Sequence, residues 1–182
     1  EGLPREQLQS ILAHAACDAA ALTGPSPSPG GRTLVVLRGD QDSELALRLA
    51  LGLASSFKLR ITTLRVPADP SLTKSVELQL ALEQVLENLP EVEDSLLHSD
   101  DPTQAILEAA RGYDLVVVGA SSRGRPDGGI ADELATRLMD SAPGSVLLAR
   151  SRPLAPPEAV DESAGTGTIS ILVDKWFAEN TF

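Results

Sequence analysis

The sequence contains one cysteine, two histidines and 3% aromatic residues. A single cysteine permits no internal disulfide, and a reducing compartment is the simplest setting for it. Two histidines, His14 and His98, stand far apart and without a nucleophile or metal-ligand cluster around them. No Ser-His-Asp set, nucleophile elbow or phosphate loop of the GK[ST] type is present. With so few aromatics, a core drawn from the 42% hydrophobic content has to be aliphatic. No apolar run is long enough to span a bilayer, and no signal peptide is visible. The net charge of -11 argues against nucleic acid and anionic membrane surfaces as partners. Internal repeats are also absent.

What is present is organised around residues 113–150. Asp114-Leu-Val-Val-Val-Gly119 is a continuous apolar run ending in glycine, as a strand buried on both faces would be. Ala120 to Gly129 is rich in turn residues, Ile130 to Met139 resumes helical spacing, and Ser145 to Ala149 forms a second apolar strand. The order strand, loop, helix, strand predicts a parallel βαβ unit with its loop beyond the carboxyl end of the strand, where open α/β sheets bind ligands.

Upstream, the apolar stripe Leu8, Ile11, Leu12, Ala15, Ala16 and Ala19 predicts a helix over Pro4–Leu22. Cys17 beside it is expected to be buried. Gly24-Pro-Ser-Pro-Ser-Pro-Gly-Gly31 is expected to be a linker. Strands follow at 32–37, 59–66 and 92–97, the last of mixed polarity and so at a sheet edge. Helices are expected at 44–56, with Asp42 or Ser43 as cap, at 71–89 and at 102–111. A second linker at 151–167 leads to a strand at 168–173 and to Trp176 and Phe177. These elements predict an α/β fold with a doubly wound, five-stranded parallel sheet over residues 32–150. An N-terminal helix (1–23) and a C-terminal strand and tail (168–182) would flank it. Beginning at Glu1 and stopping after Thr181-Phe182, the chain is expected to be a piece of a longer protein.

Thr33 to Ala50 resembles the opening strand and helix of the universal stress protein family. Tyr113 to Gly119 and Ser141 to Arg150 resemble its closing half, and Asp101 to Ala110 the short helix between. The resemblance covers residues 32–150. It implies an adenine nucleotide alpha hydrolase-like sheet with a nucleotide cleft, and a homodimer through the last strand, here Ser145, Val146, Leu147, Leu148 and Ala149. The family's ATP signature places glycines at the positions of Gly119, Ser122 and Asp132, and a serine or threonine at that of Glu133. Only the first is matched. Two carboxylates beside a triphosphate would each cost on the order of 1–4 kcal/mol. Asp132 and Glu133 have a second reading, as favourable charge near a helix N-terminus. Arg38 also stands where the family tends to carry an acid facing the nucleoside, with Asp40 nearby.

The candidate, degenerate nucleotide site is therefore Leu37, Arg38, Gly39, Asp40, Val66, Gly119, Ser121, Ser122, Arg123, Gly124, Asp132 and Glu133. The expected function is a non-catalytic regulatory or assembly domain, with no cofactor and with ATP binding weak or lost. By family analogy it would be the cytosolic part of a membrane ion or solute transporter. The transmembrane portion of the parent would then be its partner, and this fragment would not itself enter the membrane. The alternative is a free-standing, cytoplasmic stress-response protein that binds ATP or another adenine nucleotide. Arg38, Ser121, Ser122, Arg123 and Arg125 would then donate to the anion, and Asp132 would be the candidate to hold a metal.

Overall fold

The computed structural model describes residues 11–12, 15, 17–38, 40–66, 80, 83–89, 91–120 and 133–152. The expected strand at 168–173 and the Trp176 tail lie outside them, as does most of the helix expected at 71–89, of which residues 80 and 83–87 are described as helical.

Six strands form one sheet: β1 (Ala19–Thr23), β2 (Arg32–Leu37), β3 (Arg60–Arg65), β4 (Glu93–Leu96), β5 (Leu115–Gly119) and β6 (Ser145–Arg150). Their spatial order is β1-β6-β5-β2-β3-β4. The five strands β2 to β6 are parallel, as their helix-length connections require. Among the described residues the connections hold the helices α1 (Gln41–Phe57), α2 (Pro102–Ala110) and α3 (Glu133–Ser141).

β1 corrects the sequence reading twice. Residues 11–12 are helical, and the Ala15 amide donates to the Ile11 carbonyl at 3.0 Å. The expected helix does not reach Leu22, however, because Ala19–Thr23 is extended and antiparallel to β6. Tertiary context outweighs alanine's helix propensity here: without β1, the outer edge of an apolar strand would have unpaired N–H and C=O groups. The sheet consequently has a sixth strand. Cys17, just ahead of β1, is exposed rather than buried.

Gly24–Gly31, the expected linker, is packed against the sheet. It crosses beneath the amino ends of β6 and β5. Gly24 (φ +91°) lies against Ser145, whose hydroxyl donates to the Pro25 carbonyl. Asp114 accepts from the Arg32 amide at 2.8 Å, and the Gly31 carbonyl accepts from the Arg60 amide at 2.9 Å. A cavity of about 390 Å³ lies between this strap and residues 111–114 and 143–145, at the end of the sheet opposite the predicted site.

Side chains alternate across the strands, so the central runs feed two aliphatic layers. On one face Leu34, Val36, Val116, Val118, Val146 and Leu148 pack with Ile106 of α2 and Leu134 and Leu138 of α3. Leu12 joins this layer, with Ala19 and Ala21 of β1 against it. On the other face Val35, Leu37, Ile61, Leu115, Val117 and Leu147 pack with Leu45, Ala46 and Ala50 of α1. Burying each leucine, isoleucine or valine contributes up to roughly 1.5–3 kcal/mol.

The N-cap of α1 is Asp40, rather than Asp42 or Ser43. Its carboxylate accepts from the Ser43 amide at 2.8 Å, and the Ser43 side chain returns toward the Asp40 amide, completing a capping box. Starting the helix three residues earlier than expected turns Asp42 inward, where it is 2% exposed. α1 ends at Lys58 in the left-handed region (φ 54°).

Candidate functional site

β2 leads to β3 on one side of the sheet and borders β5 on the other, so the carboxyl ends of β2 and β5 form the topological switch point where α/β sheets hold ligands. The structure brings Leu37, Arg38, Asp40 and Gly119 together there.

Arg38 leaves β2 and turns its side chain across the gap. Its Nη2 donates to the Gly119 carbonyl at 2.9 Å and lies 3.6 Å from Asp40 Oδ2. Both charged side chains are only 12% exposed. The Arg38 amide donates to Ser43 Oγ at 2.9 Å, and Ser43 Oγ donates to Asp40 Oδ1 at 2.7 Å. The cap of α1 and the end of β2 thus share one network.

Gly119 is required by this arrangement. A Cβ there would lie 2.7 Å from Asp42 Cβ and 3.4 Å from Asp40 Oδ1. Asp42, which the sequence reading treated only as a cap, ties the end of β6 to α1. Its Oδ1 accepts from the Ser151 amide at 2.6 Å, and its Oδ2 lies 3.9 Å from Arg150 Nη1. The sequence signal for this role is Asp42's place just after β2, a strand that ends beside β5. Around the switch point Arg38 thus faces Asp40, and Arg150 faces Asp42. An anion hole is built the other way, with backbone N–H groups and positive charge facing an open space.

The remaining predicted residues divide. Val66 is half-buried, and its amide donates to the Leu37 carbonyl at 2.8 Å. Glu133 opens α3 with an 83% exposed side chain, 3.8 Å from Arg137, in keeping with its reading as favourable charge in a first helical turn. Gly39, Ser121, Ser122, Arg123, Gly124 and Asp132 lie outside the described residues, as does Arg125. Ser145 to Ala149, the expected dimer strand, has its outer edge paired to β1 of the same chain, so that edge is already filled. Among the described residues no histidine, cysteine and carboxylate group of three could hold a metal ion, and no helix is long and apolar enough to cross a membrane.

The fold has clear relatives. UspA, a universal stress protein from Lactobacillus plantarum, superposes with a TM-score of 0.51 at 19% identity, over 68% of this chain and 99% of that one. A universal stress protein from Archaeoglobus fulgidus DSM 4304 gives 0.50 at 19% identity, over 65% of this chain and 44% of that one. The cytoplasmic domain of a prokaryotic cation chloride cotransporter gives 0.53 at 17% identity, over 84% of this chain and 61% of that one. No curated protein matches at the sequence level. The universal stress protein family model matches residues 31–150, and the chain belongs to that family.

Proposed function

We propose that this chain is a non-catalytic regulatory or assembly domain in which the nucleotide crevice of the fold is closed from within. The observation that carries the reading is the Arg38 guanidinium, laid across the switch point onto the Gly119 carbonyl and beside Asp40. A nucleotide seated over Gly119 would have to displace that hydrogen bond and separate a partly buried ion pair. Removing one partner from such a pair costs more than the pair itself contributes.

The parent is proposed to be a membrane ion or solute transporter, with this domain on the cytosolic face. Support comes from the likeness to a cotransporter's cytoplasmic domain, of which the chain spans 61%.

Calorimetric titration of the full chain with Mg-ATP tests the closed crevice. No heat of binding is expected at sub-millimolar nucleotide, and a micromolar constant would favour the free-standing nucleotide-binding reading instead. The parent is tested separately by the full-length gene, which is expected to encode a run of transmembrane helices.

A further inference from the structure

The cavity behind the Gly24–Gly31 strap takes no part in the crevice at Gly119, which lies at the other end of the sheet. Its volume of about 390 Å³ falls within the range of about 300–1,000 Å³ that small-molecule sites occupy. Its walls are fixed by hydrogen bonds. On the strap side the Ser145 hydroxyl donates to the Pro25 carbonyl, the Gly31 amide to the Ser28 carbonyl at 3.1 Å and the Gly30 amide to the Phe57 carbonyl at 3.0 Å. On the facing side the Arg111, Gly112 and Tyr113 amides close the last turn of α2 onto the Glu108, Ala109 and Ala110 carbonyls. Those carbonyls are therefore satisfied without a ligand.

Two unlike charges border this space and do not pair. Arg111, the C-cap of α2, and Asp114, just ahead of β5, both line it. Among the described residues Arg111 has no ion pair. Asp114 commits only Oδ2, which accepts from the Arg32 amide at 2.8 Å. The Arg32 guanidinium is turned to the Tyr113 ring, 4.6 Å from its centroid. Much of the remaining wall is apolar, formed by the rings of Pro25, Pro27 and Pro143.

We propose that this cavity is a binding site for a small zwitterion, a free α-amino acid with an apolar side chain. Its carboxylate would take the Arg111 guanidinium, whose planar fork matches a carboxylate. Its ammonium would take Asp114 Oδ1, and its side chain would lie on the proline rings. The charge pattern selects this class. A plain anion would gain Arg111 but sit beside Asp114, on a chain whose net charge of -11 already repels it. A plain cation would gain Asp114 but sit beside Arg111. A ligand carrying both charges answers both groups and arrives neutral.

Titration of the full, isotope-labelled chain with L-leucine tests the site, followed through the backbone amide resonances of Gly112, Tyr113 and Gly144. Two analogues accompany it: leucinamide, which lacks the carboxylate, and N-acetyl-leucine, which lacks the ammonium. Saturable shifts are expected with leucine in the millimolar range, and each analogue is expected to bind about tenfold more weakly or worse. Arg111→Gln should bring leucine down to the level of leucinamide, and Asp114→Asn should bring it down to the level of N-acetyl-leucine. Asp114 also holds the Arg32 amide, so thermal midpoints establish first that both variants fold. The analogue comparison needs no variant at all. Absence of shifts with leucine overturns the proposal. So does equally strong binding of either analogue, or a folded Arg111→Gln chain that still prefers leucine to leucinamide. None of these readouts involves a nucleotide, so this site and the closed crevice fail separately.

Discussion

Arg38 Nη2 and the Gly119 carbonyl oxygen, 2.9 Å apart, join the carboxyl ends of two neighbouring strands that are 81 positions apart in the sequence. The contact satisfies the Gly119 carbonyl between the ends of β2 and β5. Arg38→Ala should therefore destabilise the domain by about 1–3 kcal/mol, because it leaves Asp40 without its facing charge. Urea unfolding of the variant beside the parent chain measures the loss. A midpoint unchanged within error would mean the bond contributes nothing.

Two glycines are set by close approach. A Cβ on Gly144 would lie 2.4 Å from the Asp114 carbonyl oxygen, and one on Gly119 would lie 2.7 Å from Asp42 Cβ. Overpacking of this kind costs about 1–3 kcal/mol. Gly144→Ala should be the worse of the two, since it meets backbone. Thermal melts of both alanine variants check the order.

Asp40 caps α1 and also faces Arg38. Asp40→Asn keeps a side-chain acceptor for the Ser43 amide, whereas Asp40→Ala removes it. The alanine variant is expected to lose about 1 kcal/mol more than the asparagine variant. Equal losses in chemical denaturation would assign the effect to the Arg38 ion pair and not to the cap.

Arg65 ends β3 between Asp94, whose carboxylate it meets at 2.9–3.1 Å, and Glu83. Burial lowers the pKa of its guanidinium, and the hydrogen bond and charge of Asp94, with those of Glu83, more than offset it, so the net shift is upward. A raised folded-state value gives stability that is complete below the unfolded value and lost only as pH climbs through the folded one. Arg65→Gln should therefore lower stability by about 1 kcal/mol, since its partners are partly solvated. The deficit is expected to stay constant from neutral to mildly alkaline pH. A deficit that shrinks over that range in parallel denaturation series would contradict this account.

Leu34 sits in the middle of β2 at 1% exposure, between β3 and β5. Leu34→Ala should cost about 2–5 kcal/mol, the usual range for a leucine cavity in a packed core. Ile106→Val, on the helix above the same layer, should cost about 0.5–1.5 kcal/mol. Equilibrium unfolding of the two variants tests whether this face of the sheet is packed as tightly as its burial indicates.

The parallel strands were legible because each carries its own signal. Leu115-Val-Val-Val-Gly119 has to be buried on both faces wherever it sits, and the acids of β4 suit an edge. β1 was not legible, because Ala15, Ala16 and Ala19 fit a helical stripe equally well. What makes Ala19–Thr23 extended is the bare edge of β6, more than a hundred residues away. The candidate site was legible in place but not in wiring. Arg38, Asp40 and Gly119 are all named by their positions at strand ends. That Arg38 would reach the Gly119 carbonyl, and that Asp42 would hold Ser151, depends on how closely the two strand ends approach. Much of the loop after Gly119 lies outside the described residues, so Ser121 to Gly124 and Asp132 stand on the sequence alone.

The Asp18–Arg152 hydrogen bond sits where β1 begins and β6 ends, so the polypeptide enters and leaves the sheet at one corner. Tension applied through these two points would open the β1–β6 ladder like a zipper, rung by rung from Ala19 and Arg150. It would not load all the rungs in shear at once. Mechanically, β1 is then the soft element of the domain: a weak pull in a single-molecule experiment would peel it away while the parallel strands held.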